Sequence, residues 1–218
     1  MGSPVELEGI GVRLGDTAIL RNLNLSVAPG ESLGLVGANG SGKTTLLRVI
    51  STLLTPTSGR GRVLGASLRS DDRFGVRHRI GLIGHTPALY PQLSIEENIA
   101  FVARIAGAPD ARVGEEIERV GLTRARHRRA AQCSHGMQRR VEFARVLITR
   151  PDLVLLDEAH AGLDKHAAAL VAFIIEGVKA RGGAAITVSH DHSRIGPLSD
   201  RLTELQGGAL ADGGGEME

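Results

Sequence analysis

Aromatic residues are scarce, with no Trp, one Tyr and four Phe in 218 residues, which weakens any function that depends on stacking bases against rings. The single cysteine, Cys133, excludes an internal disulfide and a cysteine-based metal cluster. Long apolar runs are missing as well: the longest, Ala167 to Ile175, has nine residues and is too short to span a bilayer. No positively charged start leads into an apolar stretch, so the expectation is a chain that stays in the cytoplasm. The net charge of +2 is too small to argue for a nucleic-acid partner, and the pI of 9.1 reflects a slight arginine excess. Lysine is rare, with three among 26 basic residues. At 42% hydrophobic and 23% charged the composition is that of an ordinary globular protein. The length suits one well-buried domain with an inserted subdomain.

What is present is glycine in a particular place. Gly37 to Thr45, GANGSGKTT, fits the phosphate-loop pattern G-x-x-x-x-G-K-[ST] through Gly37, Gly42, Lys43 and Thr44. Ser32 to Val36 before it reads as a buried strand and Leu46 to Ile50 after it as a helix, the context the pattern requires. Small residues at Gly37, Ala38, Asn39, Gly40, Ser41 and Gly42 let backbone N–H groups turn inward around a polyphosphate, and the helix N-terminus adds partial positive charge. In this reading Lys43 reaches the β- and γ-phosphates, the Thr44 hydroxyl ligates a magnesium ion, and Thr45 continues the binding turn.

Along the chain, residues 5–14 and 23–27 alternate apolar and polar and predict half-exposed antiparallel strands, the second ending before the Pro29-Gly30 turn. Thr55 to Gly59 is a turn signal, Arg62 to Leu64 a short strand and Arg79 to Ile83 a better one. From His85 the character becomes helical. Ser94-Ile95-Glu96-Glu97 is a capping box opening a helix to about Ile105, and Ala111 to Val120 forms a second helix. Residues 134–150 form a long amphipathic one with Ser134 at its N-cap and Pro151 ending it. The basic run Arg124 to Arg129 suits acidic lipid head groups or a solvated face. Leu153 to Leu156 is an unbroken apolar run, as in a parallel strand covered on both faces. Asp164 caps a further helix to about Lys179, Ala184 to Val188 is a buried strand, and Leu202 to Leu210 a small hairpin.

The expected fold is therefore α/β, with a RecA-like P-loop NTPase core, an antiparallel β subdomain and an inserted α-helical subdomain. The boundaries are 1–84 and 151–210 for the core with its β subdomain, 85–150 for the helical subdomain, and 211–218 for a disordered tail.

A phosphate loop hydrolyses nothing unaided. Asp157 ends a buried strand where α/β folds place their ligands, and there it would hold magnesium through water. Glu158, one residue on, is the candidate general base. His190, ending a second buried strand, is a candidate hydrogen-bond donor to the γ-phosphate, or a satisfied structural histidine.

These residues resemble the ATP-binding subunits of ABC transporters, in the right order over nearly the whole chain. GANGSGKTT looks like Walker A and LVLLDE like Walker B with its catalytic glutamate. Ala161 to Asp164 looks like the D-loop, and Ser189-His190 like the switch histidine. Residues 133–140, CSHGMQRR, are similar to the signature LSGGQQQR, which discriminates this family from other NTPases. Ser134 and Gly136 remain, while Cys133, His135 and Met137 depart from it; a Ser hydroxyl and N–H groups at a helix N-terminus bind an anion whatever the neighbouring side chains.

The resemblance implies an ATP and Mg²⁺ enzyme working as a head-to-tail pair. A second ATPase subunit, most simply the same chain, closes Ser134 and Gly136 over the γ-phosphate, with Asp164 at the junction. It also implies integral membrane transporter subunits as partners and a place on the cytoplasmic face of the membrane. Leu14 stands where the family has an aromatic under the adenine, and His85 where it has a glutamine near the magnesium-bound water, so His85 is a metal-site and nucleotide-site candidate. The setting of His85-Thr86-Pro87 is similar to the heme-exporter ATPases of cytochrome c maturation. S-x-G-M-Q is similar to these and also to ABC-2 type drug or lipid exporters. A soluble ABC ATPase without a transport partner is the other reading.

Overall fold

The computed structural model describes residues 2–159 and 165–211. Asp164, the stretch 161–164 and the tail from residue 212 onwards lie outside the described residues. The described residues form two sheets and the helices that cover them. The first is four-stranded and antiparallel, in the order β2-β1-β4-β5, from β1 (Val5–Leu14), β2 (Thr17–Val27), β4 (Ser58–Val63) and β5 (Ala66–Ser67). The second is six-stranded, ordered β10-β9-β3-β8-β7-β6. Its members are β3 (Ser32–Val36), β6 (Ile80–Ile83), β7 (Leu153–Asp157), β8 (Ala184–Ser189), β9 (Arg201–Gln206) and β10 (Ala209–Leu210). Strands β9, β3, β8, β7 and β6 run parallel, and β10 pairs antiparallel to β9.

Every residue of β3, β7 and β8 is buried, as expected of central parallel strands. Alternation sorts β7 into two cores: Leu153 and Leu155 pack towards the antiparallel sheet and α1 (Lys43–Ile50), while Val154 and Leu156 pack with the helices. The same period of two puts Asp157 on the α1 side, which decides where its carboxylate can act.

The helices between residues 85 and 150 are α3 (Ile95–Ile105), α4 (Ala111–Arg119) and α5 (His135–Thr149), preceded by a four-residue α2 (Asp72–Gly75). The Ser94 capping box is formed in both directions: Ser94 Oγ accepts from Glu97 N and Glu97 Oε2 from Ser94 N. Ser94 is also buried, so both groups would otherwise be left unpaired. Helix α6 (Lys165–Lys179) covers the helical side of β7 and β8, and α7 (His192–Ile195) is a short turn after β8.

One expectation needs correction. The turn read at Thr55 to Gly59 is half strand, because β4 begins at Ser58. Gly59, at φ 80°, faces a bulge in β1, where an added Cβ would meet Gly9 O at 2.3 Å, so its glycine serves close backbone approach. The 202–210 hairpin forms as β9 and β10, and β9 also pairs with β3 in parallel, Leu33 opposite Arg201. No helix among the described residues is long and apolar enough to cross a membrane.

Candidate functional site

The site begins where β3 ends. At Gly37 (φ 151°) a Cβ would stand 2.4 Å from Leu205 O, so only glycine lets the chain leave the sheet there. Gly42 caps α1 in a left-handed conformation (φ 109°), with no side-chain cap and no acidic residue in the first turn. The first N–H groups of α1 therefore lack side-chain acceptors, which a phosphate supplies. Lys43 is buried, its Nζ donating to Gly37 O at 2.7 Å and to Ala38 O at 2.8 Å. That accounts for two of the three ammonium donors. Ser41 Oγ is the buried side-chain polar atom without a partner among the described residues. An orphaned hydroxyl in a phosphate-loop turn fits an anion as its partner.

Across the mouth of the loop, Thr44 Oγ1 donates to Asp157 Oδ2 at 2.8 Å, and Asp157 is 5% exposed. A hydroxyl and a carboxylate are the hard oxygen donors that magnesium takes. Glu158 follows with a left-handed backbone (φ 52°), and its N–H donates to Val188 O at 3.1 Å. This turn points the carboxylate at His190: the His190 backbone N–H donates to Glu158 Oε1 at 3.0 Å, and Nδ1 lies 2.9 Å from the same oxygen. The two candidates assigned separate roles from sequence are thus one hydrogen-bonded unit.

Asn39, Gly40, Gly42, Lys43, Thr44, Thr45, His85, Asp157, Glu158 and His190 line one cleft of about 530 Å³, together with Ile19. Ser134 and Gly136 are not on its wall. Ser134 caps α5, its Oγ accepting from Met137 N at 3.3 Å; it is exposed, and a Cβ on Gly136 would meet open space. Leu14, at the end of β1, is 52% exposed and also off the cleft wall. The apolar edge is Ile19 instead, a residue of β2 that nothing in the linear pattern singled out. Sequence reading also missed Arg139 and Glu142, buried charged residues on α5 that hold the backbone around His85.

A family model described as ABC transporter matches residues 20–161. A cytochrome c biogenesis ATP-binding export protein of Cupriavidus metallidurans is 38% identical, over 85% of this chain and 89% of its own length. A methionine import ATP-binding protein of Xanthomonas axonopodis pv. citri is 36% identical, over 89% of this chain and 61% of its own. A solved dimeric ATP-binding cassette in a post-hydrolysis state with ADP and Pi superposes with a TM-score of 0.84. It is 26% identical, covering 94% of this chain and 96% of that one. The chain spans only 34% to 61% of the length of the macrolide-export and methionine-import relatives that it matches.

Proposed function

The chain belongs to the ABC transporter family and has the α/β P-loop architecture of its ATP-binding domains, and on that premise we propose that it binds ATP with magnesium and hydrolyses it to drive a separate membrane subunit. The observation that carries this reading is the meeting of Lys43, the Thr44–Asp157 hydrogen bond and the Glu158–His190 unit on one cleft beside the orphaned Ser41 hydroxyl. The loop N–H groups and Lys43 hold the β- and γ-phosphates. Thr44 and Asp157 would hold the magnesium, with His85 on the same wall, and the ion neutralises charge on the phosphate oxygens when bound.

Glu158 takes a proton from water as the water oxygen bonds to the γ-phosphorus. The bond from that phosphorus to the bridging oxygen breaks, giving ADP and inorganic phosphate. His190 occupies Oε1, so Oε2 is the oxygen for the water. Ser134 and Gly136 are off the cleft wall of their own chain, which supports a pair of subunits in which each supplies its corner to the other's γ-phosphate. A second copy of this chain is the simplest partner, with Ile19 flanking the base. Glu158→Gln in the purified chain tests this: nucleotide binding should persist, turnover should stop and a dimer should accumulate. Unchanged turnover would remove Glu158 as the base.

For the transported cargo, heme export in cytochrome c biogenesis, from the cytoplasmic face of the membrane, is the favoured reading. Two features support it: the His85-Thr86-Pro87 setting, and a cytochrome c biogenesis relative matched over 89% of its length. Mass spectrometry of the native membrane complex, with bound heme as the readout, tests it. An ABC-2 type drug or lipid exporter would give a different membrane subunit and no heme.

A further inference from the structure

Helix α5 carries a buried charged face that the chemistry above does not use. The Arg139 and Glu142 side chains are each 4% exposed and pair at 2.8 Å. Such a pair is costly to bury unless its remaining donors and acceptors are engaged. Here they are engaged by one stretch of backbone. Arg139 Nη1 donates to Gly84 O at 2.6 Å and Nη2 to His85 O at 3.1 Å. Glu142 Oε1 accepts from Ala88 N at 3.0 Å. Arg145, one turn further along the helix, donates to Ala88 O. Four backbone groups between Gly84 and Ala88 are therefore gripped by three side chains of one helix face. Burial pushes the Glu142 carboxyl upwards, against the pull of the Ala88 N–H and the two guanidinium groups. The carboxyl is thus committed to this network rather than to solvent.

The segment so held contains His85, a residue of the cleft wall, and the helix that holds it is capped by Ser134. We propose that Arg139 and Glu142 are positioning residues, which set the placement of His85 in the cleft by clamping the backbone on either side of it. This rests on the reading of the cleft as an ATP hydrolysis site. An ordinary structural ion pair would tie helix to helix or strand. This one spends its donors on carbonyls of a connecting segment, including that of the cleft residue itself, and bidentate reach is what a guanidinium offers over an ammonium.

The test is a double-mutant cycle on the full chain with ATP and magnesium. Arg139→Lys keeps the charge but loses the planar fork with which two separate nitrogens reach Gly84 O, His85 O and Glu142 at once. It should lower kcat on the order of tenfold, as expected when a cleft group is displaced, with KM for ATP within about twofold. Glu142→Gln should show the same split more weakly. In a His85→Ala background Arg139→Lys should cost less than about twofold more, because its effect runs through His85. Effects that multiply independently would overturn the proposal. If the wild-type chain itself fails to turn over ATP, the functional reading fails while the clamp stays testable by hydrogen exchange. Arg139→Lys should speed exchange across residues 84–88 about tenfold and leave α5 unchanged. Equal acceleration in both, or none in either, overturns it.

Discussion

His190 Nδ1 lies 2.9 Å from Glu158 Oε1, the oxygen that also accepts from the His190 backbone N–H. One carboxylate oxygen is thereby committed and the orientation of the other is set. His190→Ala leaves the backbone N–H as the one remaining His190 donor on Glu158 Oε1 and should lower kcat about 10²-fold, with ATP affinity changed less than about threefold. Steady-state hydrolysis beside equilibrium nucleotide binding checks this; a matching loss of affinity would show that His190 acts on binding instead.

The Thr44–Asp157 hydrogen bond joins α1 to the end of β7. Thr44→Val removes the hydroxyl at nearly constant volume, so folding should hold while the magnesium concentration needed for half-maximal hydrolysis rises at least tenfold. Chelating magnesium should abolish turnover in the wild-type chain. A magnesium titration of both proteins decides the point.

Gly37→Ala places a Cβ 2.4 Å from Leu205 O at a backbone φ of 151°. The loop must shift, at a cost of about 1–3 kcal/mol, and ATP binding should weaken together with thermal stability. Calorimetry and a binding titration on the same sample show whether the two losses go together.

Asp200 secures the start of β3: Oδ2 accepts from Ser32 N at 2.8 Å, and Oδ1 from Lys179 Nζ at 2.8 Å. Burial raises the Asp200 carboxyl, but Lys179 and the Ser32 groups outweigh it and hold it below the usual carboxylate range. The carboxylate therefore adds stability above the unfolded value of about pH 4, and this is lost as pH falls through the lower folded value. Asp200→Asn should cost about 1 kcal/mol near neutrality, a modest figure because the pair is half exposed. The difference from wild type should vanish in acid, as read by urea unfolding across a pH series.

The phosphate loop, the strand before it and the caps at Ser94 and Ser134 were legible in the linear chain because each is a local rule: a glycine where φ is positive, an apolar run, a hydroxyl three residues before an N–H. Asp157 and Glu158 were legible as residue types at a strand end. Separate roles were assigned to them by residue type and order, but the alternation of β7 and the left-handed turn at Glu158 decide which neighbour each carboxylate meets. Ile19 on the cleft, β9 beside β3, Gly59 at a bulge, the Glu158–His190 contact and the Arg139–Glu142 grip on residues 84–88 were decided by tertiary structure alone. Each joins segments distant along the chain, and pairing of that kind is set by how the two sheets and the helices pack, which no local pattern encodes.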